Sequence, residues 1–197
     1  MDEPVGKTIG NNLEMQEVIK ALNGQMEDDI EETIMTIGSI IMAQTLNERD
    51  IDLNMARISE AIKSGKAITK FRQMVAAQHG DQNYINSSDK FRRAKYVLPV
   101  YAVKDGFISE IDTNMVGSIS KFLGIGRKNK LSEIDNTAGI VFEKKIGSEV
   151  RVGEVVAYTH SDYEDKALTA SEYLADAYKI SDNKIRRVSR ILEIYGI

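Results

Sequence analysis

The sequence predicts a mixed protein in two parts, a helical amino-terminal part and an α+β carboxy-terminal part. Apolar residues recur at helical spacing through roughly the first 80 of the 197 residues. Beyond about residue 95, short stretches of alternating apolar and polar residues are separated by glycines, which is typical of strands joined by turns. The polar stretch NSSDKFRRAK between them is the expected linker.

Capping residues and glycines predict where the helices begin and end. Asn11 or Asn12 is expected to cap a first helix that runs through Leu22 and stops at Gly24. A third helix is expected to open at Asp50, and the run AITKFRQMVAAQ predicts a fourth.

The second helix, capped by Asp28 or Asp29, has the widest apolar surface. Its apolar residues form two stripes, Ile30, Ile34, Ile37 and Ile41 on one and Met35, Gly38 and Met42 on the other. A helix that is apolar over such a wide arc is expected to be buried on two sides.

The carboxy-terminal part is expected to combine strands with two helices. Strands are predicted in YVLPVYAV, FISEI, GIVFEKKIG, SEVRVG and EVVAYTH, with a terminal strand in RRVSRILEIYGI. One helix is predicted from Thr113 and another in ASEYLADAYKI.

Composition argues against several classes of protein. A net charge of −4 argues against a nucleic-acid partner. No apolar run approaches the roughly 18–20 residues that span a bilayer, so no membrane partner is expected. The absence of cysteine excludes disulfides and thiolate metal sites and fits a cytoplasmic protein.

Charge is unevenly distributed along the chain. Residues 1–60 carry thirteen acidic and four basic side chains, whereas residues 61–100 carry eight basic and two acidic ones. This pattern predicts an acidic helical face and a basic linker, both in solvent. A phosphate-binding patch at the basic cluster KFRRAK is the alternative.

Motifs for catalysis are few, and no catalytic or substrate-binding residue is assigned in this chain. His79 is expected to end a helix, whereas His160 ends a strand near Asp162, a carboxylate that can orient an imidazole. The stretch LGIGRKNK (123–130) combines glycines with cations but lacks the complete dinucleotide and P-loop patterns. It is either a weak phosphate loop or a turn with solvated lysines.

Several separated motifs resemble, in order, those of the pyrimidine-nucleoside and thymidine phosphorylases. MDEPVGKTIGNNLEMQEVIKAL resembles M-x-x-P-L-G-x-x-(I/V)-G-N-x-L-E-V-x-E-A, and KFRQMVAAQHGD resembles F-x-x-M-(I/V)-x-x-Q-G-G-D with His79 replacing a glycine. DGFI, LGIGR, IDNTAG and KKIGSEVRVGE resemble D-G-(Y/F)-(I/V), L-G-x-G-R, I-D-x-x-x-G and K-(I/V)-G-x-x-V-x-x-G-E. The resemblance covers all 197 residues and identifies the carboxy-terminal part of the family.

The resemblance implies an α/β fold class and a reaction. Residues 1–88 would be the helical end portion of the large phosphorylase α/β domain, and residues 93–197 an α+β domain of the barrel-sandwich-like α/β-hammerhead type. Family members are pentosyltransferases that cleave a pyrimidine nucleoside with phosphate as co-substrate, giving the base and a pentose 1-phosphate. A cationic, oxocarbenium-like sugar requires phosphate beneath the anomeric carbon and a polarised leaving base.

The family's phosphate loop, K-H-S-x-G-G, and its Arg/Ser/Lys set on the base are not in this sequence. Both precede the matching segment in the family, so the resemblance implies a phosphorylase without its amino-terminal half. The cause would be a split gene, a truncation or a fragment. Such a chain is expected to be inactive without that half. The family's usual homodimer contacts belong largely to the same half.

One ion site is implied by the resemblance alone. Bacterial members bind potassium through two loop carbonyls and a helical glutamate, which fall on Val5, Thr8 and Glu17. Oxygen ligands suit a hard cation. The remaining ligands would come from the amino-terminal half. The alternative is that Glu17 only supports the start of the helix.

Two other classes of function stay open. DGFISEI and KKIGSEVRVGEVV resemble half-repeats of biotinyl and lipoyl carriers, and DKA (165–167) offers a lysine, although it follows the strands instead of lying at a hairpin tip. A structural or regulatory binding module without an active partner is the other class.

Overall fold

The computed structural model describes residues 2–46, 49–127, 133–185 and 189–195. These residues divide into two compact units, each discontinuous in sequence. The sheet unit comprises the described residues of 1–15 and 92–187, and the helical unit comprises those of 16–91 and 188–197.

The first helix, α1, spans Asn11–Leu22, and the division between the units falls within it. The other helices of the helical unit are α2 (Asp28–Leu46), α3 (Ile51–Lys63), α4 (Lys66–Ala77) and the single-turn α5 (Asn83–Asn86), followed by a 3-10 turn at Ser88–Lys90. The predicted Asp50 cap is confirmed, because its carboxylate accepts the Leu53 N–H at 2.9 Å. The predicted stop at Gly24 is confirmed by its φ of +83°, which glycine adopts without strain.

The sheet unit is built from two antiparallel sheets. The four-stranded sheet has the order β1-β4-β6-β2, with β1 (Thr8–Ile9), β2 (Tyr96–Tyr101), β4 (Gly139–Phe142) and β6 (Val155–Ser161). The three-stranded sheet has the order β5-β3-β7, with β3 (Gly106–Ile111), β5 (Glu149–Val150) and β7 (Tyr178–Ser181). Every pairing among the described strands is antiparallel.

Two helices complete the sheet unit, α6 (Thr113–Leu123) and α7 (Glu164–Asp176). The start predicted at Thr113 is confirmed, and the Asp112 carboxylate caps it by accepting the Asn114 and Met115 N–H groups. The apolar core of this unit draws on both sheets and both helices. Its most buried large side chains are Val100, Ile108, Leu123, Ile140, Phe142, Val150, Val156 and Leu174.

The prediction that α2 is buried on two sides is wrong for its isoleucine stripe. Ile34, Ile37 and Ile41 are 40%, 47% and 55% exposed. The buried residues of α2 are Asp29, Thr36, Ser39 and Ala43. Helix α3 packs on that small and polar side, where the buried Asn54 amide donates to the Ser39 carbonyl at 3.4 Å.

The predicted terminal strand is also wrong within the described residues. Residues 189–195 form no strand, and residues 186–188, 196 and 197 of that prediction lie outside the described chain. Instead, the Arg190 N–H donates to the Glu32 carboxylate at 3.3 Å, which fixes this segment within the helical unit. Among the described residues the last strand is β7, which begins within the stretch ASEYLADAYKI, predicted to be helical throughout, and ends at Ser181.

The domain division at 1–88 and 93–197 stays a prediction. The compact units differ from it in two respects. Residues 2–15 belong to the sheet unit, because β1 pairs with β4. Residues 189–195 belong to the helical unit, because Arg190 bonds to Glu32. Within the described part of the chain, no helix is both long and apolar enough to cross a membrane.

Candidate functional site

The candidate site is the amino-terminal segment, residues 2–10, which contains two of the three residues predicted to bind an ion. Val5 lies in the loop before β1 and is 45% exposed. Thr8 begins β1 and faces Val141 of β4. Glu17 is a half-exposed residue of α1 that clusters with the helical unit. Val5 and Thr8 therefore share one short segment of the sheet unit.

The register of β1 determines where the Thr8 carbonyl points. The Phe142 N–H donates to the Lys7 carbonyl at 2.8 Å, so the pair 7 and 142 is hydrogen-bonded. Hydrogen-bonded and non-hydrogen-bonded pairs alternate along an antiparallel ladder. Thr8 and Val141 are thus a non-hydrogen-bonded pair, and the Thr8 carbonyl points away from β4, toward the edge of the sheet that β1 forms.

The loop before β1 is held by the residues that follow β4. The Glu3 carboxylate, buried with 1% of the residue exposed, accepts the Ile146 N–H at 2.9 Å. The Lys145 ammonium donates to the Gly6 carbonyl at 2.7 Å. Charge-assisted hydrogen bonds of this kind are stronger than neutral ones, so they fix the loop that carries Val5.

Two glycines allow the start of α1 to lie directly against β4. A Cβ on Gly139 would overlap Leu13 Cδ1 and lie 2.7 Å from the Ile9 carbonyl oxygen. A Cβ on Gly10, whose φ is +133°, would overlap the Ala138 carbonyl oxygen and lie 2.9 Å from Gly139 Cα. The close contact of segment and strand therefore depends on glycine at both positions.

The first turn of α1 is supported by one residue of the IDNTAG motif. The Asn136 carbonyl accepts the Asn12 N–H at 3.2 Å, and its side-chain oxygen accepts the Asn11 amide at 2.7 Å. Within the turn at the helix start, the Gly10 N–H donates to the Glu14 carboxylate at 2.9 Å. The motif thus supports the start of α1, directly after the candidate segment, from more than 120 residues away in sequence.

Sequence reasoning missed Glu3 and Lys145, which position this segment, and Asn136, which supports the start of α1. They lie inside the quoted motifs, but local periodicity gives no signal that residues near 3 and near 146 touch. Glu3 is one of three charged residues at the start of the chain, with Asp2 and Lys7, and nothing in the sequence marks it as the buried one.

His160 does not form a catalytic pair with Asp162. His160 lies on β6 between Val97 and Gly139 of the adjacent strands, and burial lowers its pKa. Asp162 does not orient it, because this carboxylate pairs with Arg92 and accepts the Lys95 N–H at 3.1 Å.

His79 follows the end of α4 with a φ of +60°. The Gly80 N–H donates to the Val75 carbonyl at 2.9 Å, which is the Schellman pattern that closes a helix. His79 therefore lies at the end of a helix, as predicted. No group of three or more His, Asp or Glu residues suited to a metal occurs among the described residues.

The weaker motifs fall into ordinary secondary structure. Gly124, with a φ of +104°, ends α6, and the Ile125 N–H donates to the Ser120 carbonyl at 3.1 Å. The first part of LGIGRKNK is therefore a helix-ending turn, while residues 128–130 lie outside the described chain. The DKA lysine, Lys166, lies in the first turn of α7 and not at a hairpin tip.

Comparisons with known proteins agree with the family that the motifs resemble. The family model "Pyrimidine nucleoside phosphorylase C-terminal domain" matches residues 107–181. The chain is 35% identical over 193 residues to curated pyrimidine-nucleoside phosphorylases of Staphylococcus aureus strains USA300 and NCTC 8325 / PS 47, covering 95% of this chain and 44% of each relative. The chain thus spans less than half the length of the curated relatives it matches.

Proposed function

We propose that this chain supplies the carboxy-terminal part of a pyrimidine-nucleoside phosphorylase, because residues 107–181 match the carboxy-terminal domain of that family and 95% of the chain aligns with curated members at 35% identity. The reaction would join inorganic phosphate to the pentose of a pyrimidine nucleoside and release the base. The match of 95% of the chain to 44% of each relative carries this proposal. The hammerhead assignment of residues 93–197 belongs to the same proposal, as does nucleoside salvage as the metabolic role.

In this proposal the chemistry requires a second polypeptide segment. The phosphate loop and the base-binding set that the family resemblance implies do not occur in this sequence. The segment would correspond to the amino-terminal part of the relatives and would bring phosphate and nucleoside together. Positioning and charge stabilisation at the anomeric carbon would therefore come from that partner.

The contribution of the present chain would be the amino-terminal segment as half of a potassium site. Two carbonyl oxygens from non-helical backbone, at Val5 and Thr8, are ligands of the type that hard cations prefer. The direction of the Thr8 carbonyl, away from β4, supports its assignment. Glu17 is assigned to the same ion by the resemblance alone.

The Lys145 side chain limits which carbonyls of the loop are proposed as potassium ligands. Its ammonium donates to the Gly6 carbonyl, which lies between the two proposed ligands in sequence. That carbonyl is therefore occupied by a protein cation and is not proposed as a potassium ligand. The pattern matches the residue-by-residue assignment, which uses Val5 and Thr8 and skips residue 6.

A complementation assay tests the proposal. The purified chain is expected to give no phosphorolysis of thymidine or uridine, and the amino-terminal part of a Staphylococcus aureus relative is expected to restore it. Potassium should stimulate the restored activity, and Glu17→Gln should weaken this dependence relative to the exposed control Glu60→Gln. Turnover by the chain alone, or no turnover with the partner, would contradict the proposal.

Intact mass measurement addresses the carrier alternative directly. Lys166 in α7 is expected to remain unmodified after expression in cells. A biotin or lipoyl adduct on this chain would favour the carrier function over the phosphorylase.

A further inference from the structure

Helix α2 exposes an apolar face of unusual composition. The helix is 19 residues long, and from Thr33 to Leu46 it carries no charged residue. A helix at the surface of a globular protein ordinarily places charged and polar side chains outward. Between Thr33 and Ala43 the exposed residues of α2 are instead the isoleucines of the docking face, which we define as Ile34, Ile37 and Ile41.

The docking face is a single surface. Its residues are three and four apart in sequence, so their side chains lie on one side of the helix, one above the other. The buried residues Thr36, Ser39 and Ala43 lie on the opposite side. Helix α2 is therefore oriented with its small and polar side inward and its aliphatic side outward.

Two contacts hold the inward side of α2 against α3. A Cβ on Gly38 would lie 2.8 Å from Ile58 Cδ1, so glycine permits the close approach of the two helices. Asn54 is fully buried and bonds to the Ser39 carbonyl across the same contact. Turning α2 to bury its isoleucines would break this polar contact, so the orientation is an intrinsic property of the helical unit.

We propose that the docking face binds the amino-terminal part of a pyrimidine-nucleoside phosphorylase, an inference that rests on the proposed function. More than half of each curated relative has no counterpart in this chain, so a protein segment large enough to cover the face is present in those relatives. Apolar faces of this kind on soluble proteins mark sites of protein association. The occupant would present a complementary apolar surface without charge at its centre.

The test measures binding of the amino-terminal part of a Staphylococcus aureus relative to this chain by isothermal titration calorimetry. Ile37→Glu is expected to weaken binding by about a hundredfold, because it places a charge within an apolar contact. Ile37→Leu should bind within about threefold of the unchanged chain. Val103→Glu, at an exposed apolar residue of the sheet unit, should also bind normally and serves as the matched control.

Folding and self-association are measured on the same variants. Because Ile37 is nearly half exposed, Ile37→Glu is expected to leave helix content and thermal unfolding of the isolated chain unchanged. Sedimentation would reveal a second copy of this chain as the occupant, through a dimer that Ile37→Glu dissociates, and that result would overturn the proposal.

The outcomes separate this inference from the function on which it rests. Normal binding by Ile37→Glu would overturn the docking face while leaving the phosphorylase proposal intact. If the unchanged chain itself fails to bind the amino-terminal part, both proposals are overturned.

Discussion

Replacement of Gly139 by alanine tests whether the close contact of β4 with Ile9 and Leu13 depends on glycine at this position. The added methyl group would overlap Leu13 Cδ1, a flexible side chain that can turn away. It would also lie 2.7 Å from the Ile9 carbonyl oxygen, which is backbone paired in the sheet. Relief therefore requires β1 to move from β4.

The expected cost follows from those contacts. Overpacking a tight site costs about 1–3 kcal/mol. Each ladder hydrogen bond that β1 loses costs a further net of about 0.5–1.5 kcal/mol. We expect Gly139→Ala to reduce the free energy of unfolding by about 2–4 kcal/mol, which for a chain of this size lowers the melting temperature by about 5–15 °C.

Gly117→Ala is the matched control in the same unit. Gly117 is an exposed residue in the middle of α6, and a Cβ there would have no neighbour within 4 Å. Alanine is favoured over glycine in a helix by about 0.5–1 kcal/mol, so this variant should melt slightly higher. The two variants make the same chemical change, but their predicted effects have opposite signs.

Differential scanning calorimetry gives the melting temperatures, and hydrogen exchange gives the location of the effect. In Gly139→Ala the Phe142 amide, which donates to the Lys7 carbonyl, should exchange faster. If Gly139→Ala melts as high as Gly117→Ala, or if exchange at Phe142 is unchanged, the packing argument is wrong.

Two further predictions concern buried polar groups. Glu3→Ala leaves the Ile146 N–H without its carboxylate acceptor and should reduce the free energy of unfolding in urea by about 1–3 kcal/mol. The exposed control Asp2→Ala should leave that free energy almost unchanged. Equal urea midpoints for the two variants would contradict the role given to Glu3. Burial lowers the pKa of His160 in the folded chain. Below about pH 6.5 the unfolded chain therefore binds a proton at this residue more readily than the folded chain does. The free energy of unfolding should fall as the pH drops from 6.5 through the folded-state pKa. His160→Gln should flatten that dependence between pH 7.5 and 5.5 and His79→Gln should not, so parallel profiles for the unchanged chain and His160→Gln would rule out the assignment.

Much of the local structure was predictable from the sequence. The ends of α1 and α6 follow from Gly24 and Gly124, whose positive φ angles are easily adopted only by glycine. The Asp50 cap and the helix start at Thr113 follow from side chains that bond to the adjacent turn. The match to pyrimidine-nucleoside phosphorylases was also predictable, from the motifs that resemble theirs.

Part of the candidate site was not predictable. Val5 and Thr8 were assigned by resemblance, but the direction of the Thr8 carbonyl depends on the register of β1 with β4, more than 130 residues away in sequence. The Glu3 and Lys145 contacts likewise join the two ends of the sheet unit. Local patterns contain no information on such pairs.

The sequence by itself determined the end of α1 and the starts of α3 and α6, because caps and glycines act over a few neighbouring residues. Only the tertiary structure decided which side of α2 is buried. Periodicity identified the aliphatic stripe of Ile34, Ile37 and Ile41, yet Asn54 and the close helix contact at Gly38 turn the opposite side inward. Burial depends on which surface lies opposite a helix, and for this stripe the described chain does not provide that surface.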